Sequence, residues 1–141
     1  IFSDNPIAVY AKLGTLRHKR YEDYAQMMLT FQDGKTAFIE ANWLTPYKIR
    51  RLVVTGSQGI LSLDYITQEI KIDKAQQTRI PRHEWEEPLK LELQHFANSV
   101  LANKEPLVTG IDGLNALIIC EAAVESAQKC EAIPLEQKLE K

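Results

Sequence analysis

The stretch from Lys35 to Tyr65, KTAFIEANWLTPYKIRRLVVTGSQGILSLDY, constrains the fold more than any other. Ala37, Ile39, Ala41 and Trp43 alternate with Phe38, Glu40, Asn42 and Leu44. A period of two belongs to a strand with two different faces. Thr45-Pro46 interrupts it, because proline has no N–H to give to a ladder. Lys48 to Thr55, rich in Ile, Leu and Val, reads as a second strand. Gly56-Ser57-Gln58-Gly59 reads as a turn, since glycine reaches positive φ cheaply. Ile60 to Tyr65 then returns. Three consecutive strands predict an antiparallel meander, which the rest of the chain must cover or extend.

The flanking segments supply the extension and the cover. Asp4-Asn5-Pro6 predicts a turn, and Ile7 to Leu16 a first strand with Gly14 as a bulge. Arg17-His18-Lys19-Arg20 is a short basic connection, and Asp23 to Phe31 predicts the next strand. Asp33-Gly34 is a two-residue hairpin signal of the I′ type, so this strand pairs with Lys35 to Leu44. Thr67 to Asp73 predicts a charged strand near a sheet edge. Lys74 to Glu87 has no clear period and predicts a long loop, with a short strand around Thr78 to Ile80.

Two helices follow. Pro88 suits a first helical turn, and Leu89, Leu93, Phe96, Ala97, Val100 and Leu101 form a stripe at helical spacing. Thr109 and Asp112 have the spacing of a capping box. The second helix is expected to reach about Lys129, burying Leu114, Leu117, Ile118, Ala122 and Val124, with Glu125 and Lys129 paired at i, i+4. Ile133-Pro134-Leu135 predicts a short terminal strand, and the lysine- and glutamate-rich tail is expected to fray. Strands first and helices after predict an α+β fold: an open-faced, mostly antiparallel sheet of about six strands with two main helices on one face. Two helices leave the other face bare, and an apolar bare face must meet another domain or another copy of the chain.

Composition narrows the function classes. One domain is the default for 141 residues, with 45% apolar and 26% charged residues typical of a globular chain. A net charge of -2 gives no electrostatic footprint for nucleic acid, and no apolar run approaches the roughly 20 residues that span a bilayer. Ile1-Phe2-Ser3 has neither an initiator Met nor a signal-peptide layout, so the chain is expected to be a piece of something longer. Cys120 and Cys130 fall in one predicted helix, roughly 15 Å apart in rise, too far for a mutual disulfide. They are expected to be reduced, buried thiols of a cytoplasmic protein. No His, Cys, Asp or Glu spacing suggests a metal, and Glu40, Asp64 and Glu69 form no evident acid–base pair.

The succession VYAKLG, then LRHKRYEDYAQMMLTFQDGKTAFIEANWLTPYKIRRLVVTGSQGILSLDYITQEI, then EPLKLELQHF and GLNALIICEAAVESA resembles the C-terminal domain of the glucose–fructose oxidoreductase, inositol dehydrogenase and MocA family. It is especially similar to the prokaryotic sugar-nucleotide dehydrogenase branch. The likeness covers nearly the whole chain, through short words whose order and spacing agree. It implies an N-terminal Rossmann domain, absent from residues 1–141, that binds NAD or NADP. It implies hydride transfer at a hydroxyl-bearing carbon of a sugar, inositol or related substrate. It implies a homo-oligomer, dimer or tetramer, built through the open sheet face. The family's catalytic lysine sits in a Glu-Lys-Pro segment of the Rossmann half, and its Asp and His lie on a helix before the first strand here. This chain has no GxGxxG and no Glu-Lys-Pro. Gly56-x-x-Gly59 is a hairpin turn and not a phosphate cradle. The isolated chain is therefore expected neither to bind cofactor nor to turn over. The competing reading is a stand-alone oligomerisation or ligand-binding module.

Five residues are candidates for substrate contact. His18 matches a family loop near the substrate cleft, where an imidazole hydrogen-bonds sugar hydroxyls or phosphate; the alternative is an exposed loop histidine. Arg17, with Lys19 and Arg20, suits a nucleotide-sugar diphosphate, or else is a solvated basic turn. Trp43 and Arg51, with Tyr47 and Arg50, suit stacking on a ring beside a phosphate clamp. Their alternative is packing for Trp43 and cross-strand pairing of the arginines with Glu40 or Asp64. His83, near Arg79, Arg82 and Trp85, either reaches the cleft or packs at its rim.

Overall fold

The computed structural model describes residues 5–135 and 139, and two compact units divide them: residues 1–44 with 107–141, and residues 45–106. The turn expected at Asp4 begins outside the described residues, and most of the expected frayed tail also lies outside them.

In the first unit, β1 (Ala8–Gly14), β2 (Tyr24–Thr30), β3 (Thr36–Asn42) and β8 (Ile133–Pro134) form a four-stranded antiparallel sheet in the order β3-β2-β1-β8. β2 pairs β3 from Tyr24↔Asn42 to Thr30↔Thr36, as the alternation predicts. The hairpin loop differs from the two-residue form. The Gly34 N–H donates to Phe31 O at 3.0 Å, Gly34 has φ 82°, and Asp33 is not at positive φ. A I′ turn requires positive φ at both centres, so this is instead a three-residue loop of Gln32, Asp33 and Gly34. Nor is Gly14 a bulge, because it pairs in register with Tyr24. Its missing side chain makes room for the Tyr24 ring, which a Cβ would strike.

α2 (Gly110–Lys129) lies on this sheet, against β1 and β8. Its start is legible in four residues: the Asp112 N–H donates to Thr109 Oγ1, and the Thr109 N–H donates to Asp112 Oδ2 at 2.7 Å. The Glu125–Lys129 pair forms at 2.8 Å. The buried face is not the expected one. Leu114, Leu117 and Val124 are exposed, while Ala122, Ala123 and Ser126 are buried against Val9, Ala11, Leu29, Phe31, Ile133 and Leu135. Small residues let the helix approach the sheet closely, so the large-residue stripe points the wrong way. Val9 and Leu135 are fully buried, each contributing about 1.5–3 kcal/mol of transfer free energy. β8 covers only two residues of β1. Beyond it the Ala11 N–H donates to Ser126 Oγ at 3.0 Å, and the Ser126 hydroxyl donates to Glu131 O at 2.6 Å. One buried hydroxyl thus satisfies the sheet edge and the chain after the helix. Cys120 and Cys130 are free and exposed rather than buried, and Cys130 caps the helix in the left-handed conformation.

The second face of this sheet carries no helix of its unit. Tyr10, Met28 and Phe38 stand in one cross-strand row, and Lys12, Gln26 and Glu40 in the next. A shallow depression of about 510 Å³ lies over them, and Phe38 is 79% exposed.

In the second unit, β4 (Arg51–Gly56), β5 (Gly59–Asp64), β6 (Glu69–Lys74) and β7 (Gln77–Arg79) form a separate antiparallel sheet in sequence order. The α+β class, the open antiparallel layering and the two main helices stand. The strands number eight in two sheets, and the expected meander divides between β3 and β4. Residues 43–50 carry no strand pairing, consistent with the missing N–H of Pro46. β6 lies near the sheet edge as expected, with only the three-residue β7 paired outside it. Leu52, Val54, Leu61, Leu63, Ile70 and Ile72 share one half-buried face. α1 (Pro88–Leu101) begins with proline as expected, but Leu89, Leu93, Phe96 and Leu101 on it are exposed.

Two glycines separate conformational strain from collision. At Gly59, φ is 150° and a Cβ would strike the Asp73 carbonyl; at Gly34 the space is open. Gly59→Ala is expected to cost about 2 kcal/mol or more, and Gly34→Ala about 1 kcal/mol. Urea unfolding of both variants checks the order.

Candidate substrate-contact site

Asp23 organises the end of the first sheet. It is fully buried, between the basic loop and β2. Its Oδ2 accepts three successive backbone N–H groups: Leu16 and Arg17 at 2.6 Å each, and His18 at 3.0 Å. Its Oδ1 faces His18 Nδ1 in a short hydrogen bond. Its own backbone is also engaged. The Asp23 N–H donates to Gly14 O at 2.8 Å, and Asp23 O accepts from the Trp43 N–H at 2.9 Å. One residue therefore ties the end of β1, the 15–22 loop and the exit of β3 together.

These bonds hold the carboxyl well below the usual carboxylate range. The Leu16 N–H is the largest cause, followed after the opposing cost of burial by Arg17 and His18. An ionised carboxylate only accepts, so every donor around it is matched.

Three of the five sequence candidates meet here. The His18 side chain is 61% exposed although Nδ1 is engaged, and Nε2 has no hydrogen bond among the described residues. Trp43 is 80% exposed, so its ring is available rather than packed in the core. The Arg17 backbone is committed to Asp23 while its side chain is exposed, and the Arg20 guanidinium lies 5.4 Å from the Tyr21 ring centroid. The arrangement presents a bare ring nitrogen, an indole face and cationic side chains at one end of one sheet. Such a set accepts a hydroxyl hydrogen bond, stacks on an apolar ring face and attracts an anionic group.

The other two candidates lie in the second unit. Arg51 Nε pairs with Asp64 Oδ2 at 3.2 Å, directly across β4 and β5. Asp64 Oδ1 also accepts the Ile66 and Thr67 N–H groups, so this pair closes the β5–β6 turn. That is the cross-strand pairing alternative. His83 is exposed in the 80–87 connection, whose Glu86 backbone exchanges two hydrogen bonds with the Gln68 amide. Asp23 itself was missed by sequence reasoning, which makes it merely the first residue of a strand. The available signal was an acidic residue just before β2 that has no nearby cation at strand spacing.

The Gly56–Gly59 turn does not fit the phosphates of a nicotinamide dinucleotide. Gly56 and Gly59 pair with each other at the β4–β5 hairpin, and a strand follows them, not a helix whose N-terminus receives phosphate. Among the described residues no three His, Cys, Asp or Glu side chains gather to hold a metal.

Comparison with known proteins shows a likeness over the first part of the chain. Residues 1–62 match the GFO/IDH/MocA C-terminal domain. No curated protein matches the chain. Among solved structures, an aldose-aldose oxidoreductase from Caulobacter crescentus, complexed with glycerol, is 25% identical with a TM-score of 0.81, over 93% of this chain and 42% of that one. A levoglucosan dehydrogenase, in complex with NADH and levoglucosan, has a TM-score of 0.82 at 18% identity, over 94% and 46%. The UDP-N-acetylglucosamine 3-dehydrogenase GnnA from Acidithiobacillus ferrooxidans has a TM-score of 0.81 at 18% identity, over 89% and 41%. The last two show the shared fold. The first 62 residues are thus similar to the C-terminal domain of the GFO/IDH/MocA oxidoreductases, and the chain shares its fold with part of each of these solved structures. It spans less than half the length of the solved structures it matches.

Because the Asp23 carboxyl is depressed on folding, the unfolded chain takes up its proton first. Its stabilisation is complete above the unfolded value of about 3.9 and is lost as pH falls below it. The gap in urea midpoint between the native chain and Asp23→Asn is expected to narrow from about pH 6 to about pH 3. A constant gap contradicts this placement of the carboxylate.

Proposed function

We propose that this chain is the substrate-side and oligomerisation half of an NAD(P)-dependent oxidoreductase acting on a CH–OH carbon of a sugar, sugar nucleotide or polyol. One observation carries the reading: the 62 residues that match the family contain the entire His18, Asp23 and Trp43 cluster. Their chemistry suits a polyhydroxylated ligand. The imidazole forms a hydrogen bond with a hydroxyl, and the indole covers the C–H face of a pyranose. Arg17 and Lys19 meet a diphosphate when the substrate is a sugar nucleotide.

The nicotinamide supplies the hydride chemistry in the parent enzyme, where a Rossmann domain holds NAD or NADP. This chain orients the substrate and takes no part in holding that group, so alone it binds no cofactor and is inactive. The bare face of the first sheet meets a second copy. Its row of Tyr10, Met28 and Phe38 offers apolar area, and Lys12 with Glu40 supplies opposite charges for a two-fold contact. No described helix is long and apolar enough to cross a membrane, and the reading places the protein in the cytoplasm, without a nucleic-acid partner.

Titration of the chain with UDP-N-acetylglucosamine, levoglucosan and glucose, followed by 1H–15N NMR, tests the substrate role. At least one is expected to shift the Trp43 indole and the His18 amide together; none doing so overturns it. NADH and NADPH fluorescence is expected to stay unquenched by the chain, and saturable quenching contradicts the division of labour. Light scattering is expected to give a dimer or tetramer, and a clean monomer at high concentration refutes the sheet-face contact.

A further inference from the structure

Asp23 and His18 form an arrangement that the family resemblance does not supply. The Oδ2 atom is saturated by three backbone N–H groups, which fixes the carboxylate plane and leaves Oδ1 for the ring alone. A carboxylate so held can only accept, so the atom facing it must be a donor. A neutral imidazole has one N–H and one lone pair, and which nitrogen keeps the proton is set by the bond the other makes.

We infer that Asp23 is a positioning residue that, when the His18 ring is neutral, keeps its proton on Nδ1, and that the Nε2 lone pair so exposed is the atom that accepts a hydrogen bond from a ligand hydroxyl. Geometry supports each half. The carboxylate is fully buried and held by three backbone N–H groups of the loop, whereas the ring is largely exposed. Nε2 has no competing partner among the described residues. The Trp43 N–H donates to Asp23 O, so the backbone that carries the indole is tied to the same residue. The depressed titration of Asp23 agrees, since it keeps the acceptor ionised. In water a neutral imidazole prefers its proton on Nε2. The inference therefore states that the fold reverses the intrinsic preference. It rests on the proposed function only for the chemical class of the ligand.

The substitution Asp23→Asn separates this role from simple support of the loop. The amide oxygen can keep the three backbone N–H groups, while the amide NH2 faces the ring and donates to Nδ1. The loop is retained and the ring proton moves to Nε2. The measurement is a long-range 1H–15N correlation of the histidine rings at about pH 8.5, above the ordinary imidazole value of about 6.5. In the native chain His18 is expected to carry its proton on Nδ1. In Asp23→Asn it is expected on Nε2, with the Leu16, Arg17 and His18 amide signals little changed. A native His18 with its proton on Nε2 overturns the inference by itself, even if the variant fails to fold. A variant that folds and leaves the tautomer unchanged also overturns it. A second arm uses UDP-N-acetylglucosamine and levoglucosan as probes. Whichever binds the native chain is expected to bind Asp23→Asn about tenfold more weakly, because a donor now faces the ligand hydroxyl. Equal binding to both refutes the acceptor role of Nε2 while leaving the substrate role intact. A reversed tautomer with no binding to either protein refutes the ligand assignment while leaving the positioning role intact.

Discussion

A single buried carboxylate with both oxygens hydrogen-bonded governs the end of the first sheet. Burying a charge is costly unless donors replace water, and Asp23 receives four of them from Leu16, Arg17 and His18. The consequence is local order where the sequence has only a basic connection. The loop cannot move without exposing the carboxylate's loss of partners, and the exits of β1 and β3 are bound to the same residue. A loop of exposed cations thereby becomes a fixed platform for one imidazole and one indole.

The same economy recurs on the other side of the sheet. β8 pairs only two residues of β1, and beyond them the Ser126 hydroxyl accepts the Ala11 N–H. That hydroxyl is reachable only because Ala122 and Ala123 bring the helix close. Packing is thus concentrated on one face of the sheet, around Val9, Ala11 and Leu29. On the opposite face Phe38 is exposed, while Tyr10 and Met28 beside it are half-buried.

What could be read from the sequence was what short spacing determines. The Thr109–Asp112 capping box, the proline start of α1, the β2–β3 pairing and the Ile133-Pro134 strand are all local patterns, and all are present. The partition into two sheets was not legible, because whether β3 pairs β4 depends on partners far along the chain. The buried face of α2 was misread because hydrophobic periodicity follows large residues, while close approach to β1 selects Ala and Ser. At the site, His18, Arg17 and Trp43 were visible as residue types with suitable chemistry. Asp23 was not, since its role depends on three N–H groups converging in a loop whose conformation has no period. Arg51 shows the converse: a guanidinium of attractive chemistry whose partner, Asp64, lies directly across the ladder.

Amide hydrogen exchange tests the central claim most directly. Leu16, Arg17 and His18 lie in an exposed loop, yet their N–H groups are bonded to a buried acceptor. Their amides are expected to exchange far more slowly than those of Lys19 to Glu22 in the same loop, and to lose that protection in Asp23→Ala. Exchange of all these amides at one fast rate in the native chain would contradict the account.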